Sequence, residues 1–184
     1  MRRIIILFIL FVPLWILQSA FILNDDISFP DRKIHRAIKK ILKLDSVEIM
    51  QFDDTVQPLT GSFYYLKSKN VLQAYLYVGR VNSCRSGGCA INQNDINLSY
   101  EFFDYFIITD TIASIKTVQI FNYQATQGHE VMSIGWLRQF VGYKGSQELR
   151  YGKEIEAISG ATVSAKALNV DLQSVIKLLN ENPY

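Results

Sequence analysis

The spacing that most suggests chemistry lies in Glu154-Ile155-Glu156-Ala157-Ile158-Ser159-Gly160-Ala161-Thr162-Val163-Ser164. Small residues from Ser159 to Ala161 deliver one hydroxyl, that of Thr162, to the start of a C-terminal helix. A helix N-terminus carries free backbone N–H groups and the positive end of the macrodipole, so it favours an anion such as phosphate. Gly160 has no Cβ, so a large group can approach the backbone there. The stretch reads as a place for a phosphate beside a hydroxyl. The competing reading is that Thr162 or Ser159 caps the helix, as Ser and Thr commonly do.

A second group is Cys84-Arg85-Ser86-Gly87-Gly88-Cys89, which holds the only two cysteines. Four intervening residues, two of them glycine, make a loop able to close a disulfide outside the cytoplasm. The alternative is a redox-active dithiol, with Arg85 favouring a thiolate nearby. One cysteine pair and two scattered histidines, His35 and His129, lack a four-ligand metal arrangement, so no metal site is expected. His129 precedes Glu130, but adjacent side chains rarely converge on one substrate. No nucleophile–base–acid triad is legible, and no catalytic residue is assigned.

Ser159-Gly160-Ala161-Thr162 resembles the flavinylation motif of FMN-binding domains. That family includes one component each of the sodium-translocating NADH:quinone reductase and the Rnf electron-transport complex. Its motif reads Asp-x-x-Ser/Thr-Gly-Ala-Thr, and a flavin transferase joins the final threonine to the phosphate of FMN through a phosphoester. Thr162 matches that threonine. Glu156 stands where the family has Asp, keeping the carboxylate and adding a methylene. Upstream, Gly128-His129-Glu130-Val131 and Trp136-Leu137-Arg138-Gln139-Phe140-Val141-Gly142 are similar to the family's Glu-Thr segment and the helix after it, with Val131 replacing the threonine. The similarity covers about residues 100–180 and is nearest to small membrane-anchored versions of the domain. It implies FMN on Thr162, with Ser159, Gly160, Ala161, Ser164, Glu156 and Glu130 around it. It also implies electron transfer between membrane and envelope partners, and a flavin transferase as a partner. The small anchored members carry a similar cysteine-glycine element.

Several elements must position these residues. Asn24 to Asp31 reads as a linker, and Pro30-Asp31 as a helix start with Asp31 a candidate N-cap. Ile34, Ile38, Ile41 and Leu42 form an apolar stripe at helical spacing. The basic residues occupy the other faces, which suits either anionic lipid or plain solvent. Strands are expected at Glu48–Phe52, Ser62–Leu66, Val71–Val78, Phe102–Ile108 and Ile112–Tyr123. Two hairpins are read from them, turning at Lys67-Ser68-Lys69-Asn70 and near Asp110-Thr111. A short helix is expected over Val131–Tyr143, ended by Gly142 and Gly145. Ile155 and Ile158 are expected to flank a last short strand. After Thr162, Leu168, Leu172, Val175, Ile176 and Leu179 recur at helical spacing. The pattern predicts an α+β domain, an antiparallel sheet with segregated helices.

The N-terminus adds Met1-Arg2-Arg3 and then twenty uncharged residues, Ile4 to Leu23, enough to span a bilayer. A cleaved signal peptide is the rival, although Gln18-Ser19-Ala20 is a poor cleavage site. The expected organisation is a cytoplasmic stub at 1–3, a transmembrane anchor or signal at 4–23, a linker and basic helix at 24–45, and an FMN-binding domain at 46–182. Arg2 and Arg3 argue for an outward domain, whereas Arg32, Lys33, Arg36, Lys39, Lys40 and Lys43 count against it. The family resemblance and the cysteine pair favour the outside, that is, a single-pass protein of a bacterial cytoplasmic membrane facing the periplasm or exterior. The net charge of +2 gives no global sign of nucleic-acid binding. The functional expectation is an electron-carrying flavoprotein. Its alternatives are a cofactor-free envelope scaffold and a thiol–disulfide carrier using Cys84 and Cys89.

Overall fold

The computed structural model describes residues 27–44, 46–52, 59–86 and 99–182. Five antiparallel strands follow one another in chain order: β1 (Glu48–Gln51), β2 (Gly61–Ser68), β3 (Val71–Arg85), β4 (Tyr100–Thr109) and β5 (Ile115–Tyr123). One helix, α1 (Asp31–Leu42), precedes them. Two 3₁₀ turns (His129–Met132 and Arg138–Phe140), a single-turn helix α2 (Ile134–Leu137) and the long helix α3 (Thr162–Glu181) follow. The fold is α+β, as the pattern predicts. The helices are segregated along the chain, yet they cover both faces of the sheet.

Strand alternation explains this. On one face Leu66, Ala74, Leu76, Val78, Phe106 and Ile108 are buried against Ile34, Ala37 and Ile38 of α1. On the other, Phe63, Tyr75, Tyr77, Phe103, Tyr105 and Ile107 meet Leu168, Leu172, Val175 and Ile176 of α3. Successive side chains of a strand point to opposite faces, so β3 and β4, covered on both, read as nearly unbroken apolar runs. Charges interrupt the runs at Arg80 and Arg85 of β3 and at Glu101 and Asp104 of β4. Asp104, fully buried, accepts from Arg80 Nε at 2.6 Å and from Asn122 Nδ2 at 2.7 Å on its two neighbouring strands. Pairing of that kind is what a buried carboxylate requires.

The first hairpin closes tightly. Lys69 and Asn70 both have positive φ (51° and 63°), the twist that suits a two-residue connection. The second turn is longer than the sequence pattern predicts, and β5 begins at Ile115, not Ile112. The Asp110 carboxylate accepts the backbone N–H of both Ile112 (3.1 Å) and Ser114 (2.9 Å), which holds Ile112 out of the ladder and 66% exposed. Three other expectations are corrected. The N-cap of α1 is Pro30, and Asp31 is the first helical residue, facing His35 at 3.2 Å. The helix expected over Val131–Tyr143 is three short pieces, because the chain turns at Ser133 (ψ 123°). The strand expected at Ile155–Ile158 is a single bridge from Tyr151 to Ile155.

The anchor or signal at 4–23, the stub before it, and Cys89 lie outside the described residues. Among the described residues, no helix is long and apolar enough to cross a membrane.

Candidate functional site

The start of α3 is built by the backbone before it. Gly160 has φ +83°, the left-handed region that costs any L side chain. Ala161 follows as the N-cap, and Thr162 is the first helical residue. No side chain caps this end of α3, so the competing reading, a cap by Thr162 or Ser159, is not met. Ala161 is buried, whereas Ser159, Thr162 and Val163 are exposed. The Thr162 hydroxyl stands free of a capping role beside the orphan N–H groups of the first turn.

The segment leading in is fastened from the opposite side. Trp136 Nε1–H donates to the Glu156 carbonyl at 2.8 Å, and the Glu156 N–H donates to Gln139 Oε1 at 2.7 Å. The Ile158 N–H donates to the Tyr151 hydroxyl at 2.9 Å. Glu154 turns away to Arg150, whose guanidinium bond holds its carboxyl down at about 2. The Glu156 side chain itself is exposed.

Glu130 and Gly160, thirty residues apart, are brought together. A Cβ on Gly160 would lie 3.1 Å from the Glu130 carboxyl carbon. Ser164 lies beneath the site. Its hydroxyl is 2.7 Å from that of Ser83 at the end of β3 and 3.2 Å from that of Tyr123 at the end of β5. The Tyr123 hydroxyl donates to the Gln127 carbonyl at 2.6 Å, and its ring stacks on Phe103 and meets His129 at 4.6 Å. Burial pushes the Tyr123 phenol above its ordinary value; the Ser164 bond opposes the shift, and Glu130 and Glu101 add to it. His129 and Glu130 both neighbour Tyr123, and no hydrogen bond joins their side chains as an acid–base pair. Gly128, at φ +89°, completes the wall, and a Cβ there would meet the Tyr123 and Ser164 hydroxyls at 2.8 and 2.9 Å. Together, Gln127, Gly128 and residues 160–164 line a concavity of about 220 Å³.

A concavity of this size is below the roughly 300 Å³ at which small-molecule pockets begin. None of its lining residues is basic, so only helix N–H groups and the dipole favour an anion there. Among the described residues no cluster could hold a metal ion. A larger cavity of about 780 Å³ lies elsewhere, between α1, β5 and α2.

The chain matches no protein-family model and no curated protein. Its site is thus read from its own geometry and motif. That geometry gathers Ser159, Gly160, Ala161, Thr162, Ser164 and Glu130, and leaves the Glu156 side chain at the edge, with only its backbone fixed. Cys84 lies at the end of β3, buried, next to Ser83. The expected pairing with Cys89 falls outside the described residues. Sequence reasoning missed Ser83 and Tyr123. Neither has a local signal, because their contacts to Ser164 span 81 and 41 residues.

Proposed function

We propose that this protein is a membrane-anchored, extracytoplasmic flavoprotein that carries electrons through FMN bound by a phosphoester to Thr162. The observation that carries the reading is the setting of Thr162: exposed, first in α3, not used as a cap, and preceded by a glycine in the left-handed region. A residue there for capping alone would have its hydroxyl on the helix backbone. When bound, FMN supplies the electron-transfer chemistry.

The chain's own residues have separate tasks. Thr162 would offer the oxygen that displaces the leaving half of a flavin nucleotide's phosphoanhydride, so the chain's net gain is one FMN less one water. Gly160 and Gly128 keep the backbone close and the concavity open. Ser164, Ser83 and Tyr123 fix the first turn of α3 against the sheet. Trp136 and Gln139 fix the approach of the motif. The lack of a basic lining residue argues for a covalent hold over a reversible one, because nothing charged would retain a phosphate against water. Glu130 adds a negative charge beside Gly160, which further disfavours reversible anion binding.

The test is the intact mass of the full chain co-expressed with a flavin transferase, beside Thr162→Ala. The expected result is a gain of one FMN less one water in the wild type and none in the variant. A folded wild type that gains no mass overturns the covalent reading: either FMN then binds without a bond, or the site holds no flavin and the cofactor-free scaffold stands in its place.

A further inference from the structure

We propose that the exposed face of α1 is a cationic foot that docks on the phosphate headgroups of an anionic lipid bilayer. The apolar stripe of α1 is not available to lipid: Ile34, Ala37 and Ile38 are buried in the sheet. Only the opposite face is presented. At about 100° per residue, Arg32, Lys33, Arg36, Lys39 and Lys40 fall within a sector of roughly 120° facing away from that stripe. All five are exposed. Asp31 is the only acid in the helix. The charge is concentrated here. Nineteen basic and seventeen acidic residues make up the chain, so outside α1 fourteen basic residues face sixteen acidic ones. The face therefore complements an anionic surface that the rest of the domain would repel.

The occupant follows from the chain itself. Seven residues, 24–30, separate the apolar run at 4–23 from α1. Fully extended they reach roughly 25 Å at most, so an anchored chain holds this face within reach of its own bilayer. Lys and Arg clusters close to a membrane span are the pattern that anionic lipid attracts. The proposal rests on the anchored part of the functional reading and is independent of flavin. It has one consequence for that reading. α3 packs on the other side of the sheet, so docking through α1 turns the α3 layer away from the lipid and towards an aqueous redox partner.

The test is lysine labelling of the full chain by acetic anhydride, a neutral reagent, read by peptide mass spectrometry. Vesicles of phosphatidylcholine are compared with vesicles containing phosphatidylglycerol. Lys166 and Lys177 on α3 serve as internal references. Lys39 and Lys40 should lose about threefold or more of their relative reactivity in the anionic vesicles only, and regain it at high salt. Arg32→Glu/Arg36→Glu, both at exposed positions, should abolish the protection. Equal labelling in the two lipids, or protection that survives the double variant, overturns the proposal. Flotation of the same samples reports the anchor separately. A chain that floats with both vesicles but labels equally keeps its anchor and loses the docking face. A chain that floats with neither loses both.

Discussion

Two glycines shape the candidate site, and they differ in what surrounds them. Gly160 and Gly128 both have positive φ, which costs an alanine about 1–2 kcal/mol. A Cβ on Gly160 would meet the end of an exposed glutamate, which can move. A Cβ on Gly128 would meet two hydroxyls already fixed by hydrogen bonds to each other and to Gln127. Gly160→Ala should therefore destabilise by about 1–2 kcal/mol. Gly128→Ala should cost at least about 1 kcal/mol more, since overpacking adds to strain. Urea unfolding of the two variants checks the order, and equal losses would show that the hydroxyl pair yields freely. Thr162 makes the opposite case. Its side chain has no structural task at the cap, so Thr162→Ala should leave stability nearly unchanged while removing the attachment point.

At the scale of elements, α3 is held to the sheet by apolar packing, by the Ser164 hydroxyl at its first turn and by a polar contact further along. The Tyr105 hydroxyl donates to the Asp171 carboxylate at 2.5 Å. Burial raises the Asp171 carboxyl to about 6, although the Tyr105 bond opposes the shift. Burial also drives the Tyr105 phenol far above its ordinary value. Because the folded value for Asp171 lies above the unfolded one, folding favours the protonated acid. The native state then loses stability as pH rises from about 4 to about 6, and the loss is complete above that window. The difference between about 3.8 and about 6 corresponds to an order of 3 kcal/mol. Asp171→Asn removes the titration while keeping an acceptor for Tyr105. The stability of the wild type relative to Asp171→Asn should fall by up to about 3 kcal/mol between about pH 4 and pH 7. Parallel pH profiles for the two proteins would show that Asp171 is charged at little cost.

At the scale of the molecule, one sheet serves two cores. Ile34 of α1 is fully buried in the core that Leu66, Leu76 and Phe106 share. The other core lies beneath α3. β3 and β4 contribute to both, so the two should unfold together. Ile34→Ala should cost about 2–5 kcal/mol. The loss should be one cooperative transition, with far-UV circular dichroism and Trp136 fluorescence (in a Trp15→Phe background) moving in step. A far-UV change that precedes the Trp136 change would show α1 to be a separate unit.

Much of the architecture was legible in local pattern. The runs rich in Tyr, Phe, Ile and Val, the stretch Lys67-Ser68-Lys69-Asn70 between two of them and the helical spacing from Leu168 to Leu179 marked the strands, the first hairpin and α3. Local chemistry dominates there, since side-chain period and turn conformation need no distant partner. The sequence also marked Thr162, Gly160 and Glu130, through small residues before a helix and through the resemblance they carry. Where the pattern failed, a contact from elsewhere had decided the outcome. The Asp110 carboxylate captured two backbone N–H groups and shortened β5. Trp136 and Gln139 held the approach to the motif without a strand. Only the tertiary fold joined Ser83, Tyr123 and Ser164 under the first turn of α3, and only it placed Glu130 beside Gly160. Only packing, too, could show that the apolar stripe of α1 belongs to the sheet and that its basic face is what the molecule presents. The physical reason is common to these cases: burial and long-range hydrogen bonds depend on which surfaces meet, and no periodicity within one segment encodes its neighbour.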